Sequence, residues 1–403
     1  MERSLTELPP EILSDILSRL PITRLLTCKA VCKTFLETTS SNPYFNSLLS
    51  SKMALYLIVQ FGNSNHPTGS VHLIDSGLDT AFLSTEMAEL KPMFHIPDYP
   101  GRYHKSYNMH AGDQNNFCLV NSCDGLLYFA ERDCCERSFV CNPVMEDYLT
   151  LPEVVKDRNL FQLTMGSWFG FSVGDNRYKV LRILTTVIGR PREFGFKQVF
   201  SAQVLVVGSS SWRDIGEQPP SEHLTWDTCF ILLDGSVYWL CQFPELSKFI
   251  VYFDFHQEKF GEIPSPPELR NGWRINRHYA SMGVLGGCLS LAVNVQSLDI
   301  WVLQRYDSQV SWTRQFVIDT SFPVGNLLVE GTFKPLQVLD NRYVILMIWS
   351  ALAMVCYDSK ERTFKIFNLN GVGSVCRSAL LKPSLVPLMD ALNIDDGDEQ
   401  NFE

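Results

Sequence analysis

Residues 228–264 contain four short apolar segments separated by turns, and the same pattern recurs along most of the chain. They read TCFILLDG (228–235), SVYWLCQF (236–243), FIVYFDFH (249–256) and KFGEIP (259–264). The first two segments meet at Asp234-Gly235, a dipeptide that supplies the positive φ angles of a tight hairpin. β-Branched and aromatic residues dominate the segments, which is typical of β-strands. This stretch therefore predicts four consecutive antiparallel strands.

The four-strand unit occurs five times between residues 115 and 370. A turn dipeptide marks the first hairpin of each unit, at spacings of 51 to 59 residues: Asp124-Gly125, Asp175-Asn176, Asp234-Gly235, Gly286-Gly287 and Asp340-Asn341. The last short strand of each unit has an aromatic residue near its start: Tyr148, Trp212, Phe260, Trp312 and Phe364. Four strands at a period of about 50 residues indicate a β-propeller, with one unit per blade.

Two further apolar segments lie at the ends of this region, outside the five units. Met53–Ser84 contains MALYLIVQ, SVHLID and TAFLS, and Ser374–Leu388 can supply one more strand. Together they can close a sixth blade, which removes the open sheet edge of an unclosed ring. A β-sandwich has similar strand spacing but needs no period near 50 residues. The repeat therefore favours a mainly β fold built as a six-bladed propeller.

The first 49 residues have helical periodicity instead. In LPPEILSDILSRLP (8–21), at 100° per residue, five apolar residues share a stripe about 140° wide: Ile12, Leu13, Ile16, Leu17 and Leu20. A second helix is predicted from a Thr23 cap through Leu36, and a third follows Pro43. A unit of about 45 residues buries too little apolar surface to be stable alone, so part of it should contact another chain or domain.

This N-terminal unit resembles an F-box over about residues 5 to 49. The resemblance lies in LPPEILSDILSRLP (8–21) followed by LLTCKAVCKTF (25–35). It implies docking on a Skp-type adaptor and, through that adaptor, on a cullin–RING ubiquitin ligase. The residues that it assigns to the adaptor-binding face are Leu8, Pro9, Ile12, Leu13, Ile16, Leu17, Leu20, Pro21, Leu25, Leu26, Val31, Cys32 and Phe35. The competing interpretation is a small amphipathic helical cap on the rest of the chain, which would need only the helical period.

The repeats between about residues 100 and 388 resemble the F-box-associated domain of plant F-box proteins. The resemblance is carried by SCDGLLYF (122–129), FVCNPVMEDYLTLP (139–152), FGFSVGDNRYKVLRIL (169–184) and LLDGSVYWL (232–240). It implies a kelch-like propeller that binds a substrate, without naming that substrate. A Gly-Gly doublet, as in kelch repeats, occurs in only one of the five turns.

Composition describes a well-packed globular chain of 403 residues, 45% hydrophobic and 19% charged. A net charge of −10 argues against nucleic acid or an anionic membrane as a partner. No signal peptide is expected at the start. The apolar run at 343–357 is shorter than the ~20 residues of a membrane helix and predicts two buried strands around Ser350. The 12 cysteines form no CxxC pair, so reduced, mostly buried thiols in the cytoplasm or nucleus are expected.

The sequence contains no catalytic motif of the types GxSxG, GxxxxGK[ST], GxGxxG or HExxH. His104 and His110 lie near Cys118 and Cys123, but the spacings match no standard zinc site. We therefore expect no metal, no cofactor and no enzymatic activity. A receptor of a ubiquitin ligase needs none, because it works by holding a substrate near a ubiquitin-loaded enzyme.

Three segments are long for connections between strands, which usually have about 4–6 residues: 91–116, 186–198 and 269–279. Propeller loops carry recognition, so these segments supply the candidate substrate-binding residues: Arg270, Trp273, Arg274, Arg277, His278, Arg190, Arg192, Tyr103 and His104. Arg and Trp are enriched at binding hot spots, and clustered cations in an acidic protein suggest an acidic or phosphorylated ligand. Solvated loops whose arginines pair with acidic residues of neighbouring blades are the alternative.

The sequence therefore predicts a three-helix F-box module at 1–50, a propeller at 51–390 whose first and last segments close the sixth blade, and a disordered acidic tail at 391–403. The function that the resemblance implies is substrate recognition in an SCF-type (Skp–cullin–F-box) E3 ubiquitin ligase, with an unknown target protein bound by the propeller loops. The alternatives are a scaffold that holds an adaptor without forming an active ligase, and a propeller enzyme.

Overall fold

The structure is a computed structural model, and its described residues cover most of the propeller and part of the helical module. These are 7–20, 31–40, 55–61, 70–74, 90–96, 117–131, 136–153, 161–188, 197–219, 230–240, 250–270, 280–294, 297–306, 309–320, 332–339, 344–349, 353–368 and 375–393, with Leu25, Cys28, Tyr44, Phe45 and Leu48.

The strands form six four-stranded antiparallel sheets, one per blade. Blade 6 contains β1 (Tyr56–Phe61), β2 (Ser70–Ile74) and β3 (Leu90–His95). Blade 1 consists of β4 (Phe117–Cys123), β5 (Leu126–Glu131), β6 (Ser138–Asn142) and β7 (Asp147–Thr150), and blade 2 of β8 (Phe161–Ser172), β9 (Arg177–Ile188), β10 (Lys197–Val206) and β11 (Arg213–Asp214). Blade 3 consists of β12 (Phe230–Leu233), β13 (Ser236–Leu240), β14 (Ile250–Asp254) and β15 (Lys259–Ile263). Blade 4 consists of β16 (Ala280–Leu285), β17 (Cys288–Asn294), β18 (Leu298–Tyr306) and β19 (Gln309–Ile318), and blade 5 of β20 (Phe333–Leu339), β21 (Val344–Trp349), β22 (Ala353–Asp358) and β23 (Thr363–Asn368).

The sixth blade joins the two ends of the propeller sequence. β24 (Val375–Leu381) pairs antiparallel with β1, with Tyr56 opposite Leu381 and Gln60 opposite Arg377. β24 is the innermost strand of this blade and contacts β4 of blade 1. The predicted six-bladed propeller is confirmed. The predicted pair of strands around Ser350 corresponds to β21 and β22.

In the four described turns between first and second strands, the turn dipeptide has positive φ angles. Both residues have positive φ at Asp124-Gly125 (48° and 90°), Asp234-Gly235 (48° and 69°) and Gly286-Gly287 (59° and 77°). In the Asp175-Asn176 turn Asn176 has φ 54°, whereas Asp340-Asn341 lies outside the described residues. These turns hold two strands in a short hairpin because their twist matches that of the strands.

A second turn signal, between the third and fourth strands, was not recognised in the sequence. The side-chain oxygens of Asn142, Asp254 and Asp358 each accept hydrogen bonds from backbone N–H groups two and three residues further on, at 2.8 to 3.3 Å. The residue four positions after each of them has positive φ: Glu146, Glu258 and Arg362. A short polar side chain at the start of the turn thus replaces a backbone partner.

Buried amide side chains connect neighbouring blades through the backbone of an innermost strand. Gln60 donates to the Phe117 carbonyl and accepts from the Leu119 N–H, both at 2.8 Å. Asn121 does the same for Phe169, donating to its carbonyl at 2.7 Å and accepting from its N–H at 3.1 Å. The edge of a sheet leaves such backbone groups without ladder partners, and these amides satisfy them.

The closing aromatic residues also connect blades. The Trp212 indole N–H donates to the carbonyl of Pro152, and the Trp312 indole N–H donates to the carbonyl of Pro264, both at 2.9 Å. Pro152 lies two residues after β7 and Pro264 directly after β15, which are the fourth strands of the preceding blades. The aromatic repeat in the sequence therefore marks bonds between blades as well as packing within them.

The propeller has two different rims because strand direction alternates within each blade. Turns between first and second strands and between third and fourth strands lie at one rim, which we name the turn rim. Connections between second and third strands, and between successive blades, start and end at the opposite rim, which we name the loop rim. Chain entry into β1, at residue 55, is at the turn rim, where β24 ends.

The N-terminal residues form a helical module (described residues 7–48). It contains α1 (Pro10–Leu17) and α2 (Lys33–Ser40), and Leu25, Cys28, Tyr44, Phe45 and Leu48 are also helical. The predicted continuous helix from Thr23 through Leu36 is wrong at Val31, whose N–H closes a turn onto the Cys28 carbonyl at 3.1 Å before α2 begins at Lys33. The described residues do not confirm the prediction of three helices.

The chain after β24 returns to the first blade. α3 (Leu388–Leu392) packs Leu388 and Leu392 into the apolar core between blades 1 and 2, and the Leu388 N–H donates to the Asp147 carboxylate at 2.8 Å. Asn393 ends this helix with φ 55°. The tail predicted from residue 391 therefore includes helical residues at its start, and 394–403 lie outside the described residues.

Candidate functional site

Helix α1 divides its apolar residues between two sides. Leu13 and Leu17 are buried, whereas Ile12 is 50% and Ile16 39% exposed. Residues four apart are neighbours on a helix surface. Ile12 and Ile16 therefore form an apolar pair on the side of α1 that faces away from the core.

The other exposed apolar residues of the module follow in sequence. Val31, Leu36 and Tyr44 are exposed, Val31 to 63%. We name these three residues, together with Ile12 and Ile16, the apolar face. They are five of the eight large apolar side chains that are exposed among the described residues. Apolar exposure concentrated in so small a part of a protein marks an interaction surface.

The structure distributes the predicted adaptor-binding residues over three environments. Exposed positions are Pro9, Ile12, Ile16 and Val31; partly buried ones are Leu8, Leu20 and Cys32; and fully buried ones are Leu13, Leu17, Leu25 and Phe35. Pro21 and Leu26 lie outside the described residues. Leu36 and Tyr44 are exposed but absent from the predicted set. The sequence would predict their exposure only if the turn that precedes α2 were placed correctly.

The buried side of the module rests on the propeller. Leu13, Leu17 and Phe35 belong to one apolar cluster with Val144 and Leu385, and Met145 packs against it. Val144 and Met145 lie in the turn between β6 and β7, and Leu385 follows β24. The helical module is therefore fixed to the turn rim, and its apolar core is completed by propeller side chains.

The innermost strands of the blades surround a central cavity of about 980 Å³. Its charged residues differ between the two ends. Lys334 is the second residue of β20 and Arg377 the third of β24, so both lie toward the loop rim. Asp124 and Asp234 in first-hairpin turns, with Lys382 after β24, lie toward the turn rim.

Of the nine predicted substrate-binding residues, Arg270 is among the described residues. Trp273, Arg274, Arg277, His278, Arg190, Arg192, Tyr103 and His104 lie outside the described residues. Arg270 ends a short 3-10 helix, Pro267–Arg270, that follows blade 3. Two of the three predicted connections are shorter than predicted, because β3 continues to His95 and β9 and β10 reach Ile188 and Lys197. These strand ends are at the loop rim, opposite the helical module.

An ionic network connects blades 2 and 3 at the turn rim. The buried Lys179 ammonium donates to Asp175, to the Phe255 carbonyl at 3.0 Å and to Glu258 at 2.9 Å. Arg213 donates to both oxygens of Glu258 at 2.6 Å. Burial alone would raise the pKa of Glu258, but the hydrogen bonds from Arg213 and Lys179 outweigh it and hold this pKa below its usual value. Every charge of this network faces a partner, as in a structural site.

The seven cysteines whose side chains the structure describes are free thiols. Burial raises the pKa of the Cys123 and Cys141 thiols well above the ordinary value, and that of Cys356 to about 12. These thiols stay protonated at neutral pH, and a thiol is a poor nucleophile and metal ligand in that form. Among the described residues no cluster of three or more His, Cys, Asp or Glu side chains could hold a metal ion, and no helix has the length and apolarity to cross a membrane.

Comparison with known families agrees with both parts of the molecule. Residues 80–390 match the F-box associated β-propeller domain, and residues 5–45 match an F-box-like domain. The chain belongs to the family of F-box proteins with an F-box associated β-propeller domain.

Its relatives include several Arabidopsis thaliana proteins. It is 27% identical to F-box protein At3g07870, over 91% of this chain and 89% of that protein. It is 23% identical to F-box protein CPR1, over 94% of this chain and 88% of that protein. Among solved structures, that of YjhT covers 64% of this chain and 84% of its own at a TM-score of 0.40 and 8% identity.

Proposed function

We propose that this protein is the substrate-recognition subunit of an SCF-type E3 ubiquitin ligase. The F-box-like module would bind a Skp-type adaptor, which joins it to a cullin–RING ligase, and the propeller would bind a target protein for ubiquitination. The observation that carries the proposal is the apolar face, which leaves Ile12, Ile16 and Val31 in solvent although the module already packs an apolar core against the propeller.

The arrangement of the two parts supports this role. The module sits on the turn rim, and the strand ends beside the predicted recognition segments are at the loop rim. An adaptor on the module and a substrate on the loop rim would therefore bind opposite sides of the propeller without competing. This fits a receptor that acts by proximity and is itself non-catalytic.

A cytoplasmic or nuclear location, with neither nucleic acid nor a membrane as partner, is part of the proposal. It is supported by the free thiols of the described residues and by the net charge of −10. The kelch-like character of the blades is also proposed, on the basis of their period of about 50 residues.

The first test replaces the exposed pair while leaving the buried pair intact. We expect Ile12→Asp with Ile16→Asp to weaken binding of a purified Skp-type adaptor more than tenfold, because two charges would be buried in an apolar interface at a cost above about 1.4 kcal/mol. Val317→Asp is the matched control, since Val317 is similarly exposed but lies on the outer strand β19. Unchanged adaptor affinity of the double variant, with native circular dichroism, would remove the basis of the proposal.

The second test separates a ligase receptor from a scaffold that only holds an adaptor. The protein is combined with adaptor, cullin, RING subunit and ubiquitin-loaded enzyme, and ubiquitin transfer to proteins captured by the propeller is measured. A receptor recruits cullin and supports transfer, whereas a scaffold retains the adaptor without either. The Ile12→Asp, Ile16→Asp variant provides the negative control.

A further inference from the structure

We propose that Asn142 is a positioning residue that sets the orientation of the helical module, and of the adaptor bound to it, relative to the propeller. This inference rests on the proposed function and adds how the two ends of the receptor are kept in one arrangement. It is carried by the four hydrogen bonds of one buried side-chain amide, which reach two separate parts of the turn rim.

The side chain of Asn142 is completely buried at the end of β6. Its amide nitrogen donates to the carbonyl of Ser384 at 3.1 Å and to the carbonyl of Val386 at 2.8 Å. Its oxygen accepts from the N–H groups of Val144 at 3.0 Å and Met145 at 3.3 Å. A side-chain amide has two donor hydrogens and two acceptor lone pairs, so all of them are used here.

These bonds hold the propeller residues that contact the helical module. Val144 and Met145 lie in the turn after β6, and Leu385 lies between the two residues whose carbonyls Asn142 binds. Among the described residues, these three are the propeller side chains in the apolar cluster of the module. One side chain therefore fixes both parts of the surface on which the module packs.

The segment that carries Leu385 is also attached to the propeller on either side of this contact. Before it, β24 pairs with β1 as far as Leu381. After it, the Leu388 N–H donates to Asp147, and Leu388 packs into the core between blades 1 and 2. Between these attachments, the two bonds from Asn142 fix the rotation of the chain at Leu385, which decides whether its side chain reaches the module.

The same turn in other blades shows what the amide adds. Asp254 in blade 3 and Asp358 in blade 5 accept the equivalent two backbone hydrogen bonds, and each is followed four residues later by a positive φ. A carboxylate is therefore sufficient for the turn. An ionised carboxylate has no donor, however, and would not bind the carbonyls of Ser384 and Val386. The donors of Asn142 thus serve the contact with the module rather than the turn.

The test measures the distance between module and propeller in the full-length protein by electron–electron double resonance. Identical spin labels are attached through p-azidophenylalanine at Lys33, exposed on α2, and at Val317, exposed on β19, so the native cysteines stay unlabelled. We expect a narrow distance distribution for the wild type. Asn142→Asp keeps the acceptor of the turn but turns a carboxylate toward two carbonyls, so the distribution should become about twice as wide or wider.

Asp358→Asn is the matched control, because it makes the reverse exchange at the same turn position, outside the cluster of the module. Its distance distribution should equal that of the wild type. Asn142→Ser is a second, uncharged variant that keeps a hydroxyl acceptor for the turn and should widen the distribution as Asn142→Asp does. The inference is overturned if a variant of Asn142 with native circular dichroism keeps the wild-type distribution, or if Asp358→Asn widens it equally.

Ubiquitin transfer connects this role to the proposed function. In the assembled ligase at saturating adaptor, we expect the wild type to modify a restricted set of its own propeller lysines, mapped by mass spectrometry. Asn142→Asp should modify additional lysines, because the module is no longer held in one orientation, and identical sets would also overturn the inference. A wild type that binds no adaptor would refute the proposed function, whereas the spin-label distances would still decide whether Asn142 orients the module.

Discussion

The contact between the helical module and the turn rim predicts that one propeller residue controls adaptor binding. Leu385 is 2% exposed and packs in the cluster that contains Leu13 and Leu17 of α1. Replacing a buried leucine with alanine costs about 2–5 kcal/mol through lost burial and the cavity left behind. In Leu385→Ala this loss falls on a module of about 45 residues, which has little stability of its own.

Hydrogen exchange of the α1 amides measures the effect locally. A loss of about 3 kcal/mol corresponds to roughly hundredfold faster exchange, since each 1.4 kcal/mol is a factor of ten. Adaptor affinity should fall with it, because α1 carries the exposed pair Ile12 and Ile16. Leu385 is buried and is not part of the apolar face, so its replacement can lower adaptor affinity only through its contact with α1.

Leu291→Ala is the matched control. Leu291 is completely buried between blades 3 and 4 and has no part in the module cluster. It should lower the stability of the propeller while α1 exchange and adaptor affinity stay at the wild-type level. The reasoning is refuted if Leu385→Ala leaves α1 protection and adaptor affinity unchanged, which would mean that the module holds its fold without the propeller.

Three other positions give predictions of different kinds. A Cβ at Gly283 would lie 2.8 Å from the carbonyl carbon of Pro335 and closer to its oxygen, so Gly283→Ala should lower the free energy of unfolding by about 1–3 kcal/mol in urea titrations. Lys179→Met should destabilise by about 3–5 kcal/mol at pH 7. Because the pKa of Glu258 is depressed, the stability it adds is present above pH 4.5 and lost as pH falls below, and Lys179→Met should show less of this acid loss. Cys356, with a pKa raised to about 12 by burial, should resist iodoacetamide at pH 8 until the protein unfolds.

Each of these three predictions has a control at another position of the same protein. Gly216→Ala meets no atom within 4 Å but changes a residue with φ +70°, so it should cost only about 1 kcal/mol. Arg213→Met removes the more exposed partner of Glu258 and should destabilise less than Lys179→Met. Partly exposed Cys28 and Cys288 should be alkylated in the native protein. Equal effects of the two glycine changes, equal effects of the two cation changes, or labelling of Cys356 at the rate of Cys28 would each contradict the corresponding interpretation.

The propeller could be read from the sequence because its repeat is local. A hairpin such as Asp234-Gly235 needs positive φ, and Asp, Asn and Gly supply it at little cost, so the turn leaves its mark within two residues. The closing aromatics repeat for the same reason, since each serves the same position in its blade. Even the closure by strands from both ends follows, because a ring of five units leaves a free sheet edge.

The division of the apolar stripe of α1 could not be read. A stripe about 140° wide is consistent with a helix that buries one side in its own protein and offers the other to a partner. Periodicity assigns Ile12, Leu13, Ile16 and Leu17 to the stripe, but it does not tell which pair meets which surface. That depends on Val144 and Leu385, which approach α1 only in the folded chain.

The cavity residues leave no signal in the sequence for a related reason. Lys334 and Arg377 are isolated cations within apolar strands, on different blades. Only the closure of the ring brings both of them toward the same end of one cavity. Sequence patterns favoured the arginine-rich segment 269–279 because clustering along the chain can be seen directly, whereas clustering across blades requires the fold.

The closure of the sixth blade has a consequence for protein synthesis. The strand that completes the ring, Val375–Leu381, and the leucine that completes the core of the module, Leu385, leave the ribosome after almost all of the other described residues. A chain whose translation stops before them lacks both the closed propeller and the support for α1. Unfinished copies would therefore have neither a folded adaptor-binding module nor a closed substrate-binding propeller. They would not compete with complete copies for the adaptor.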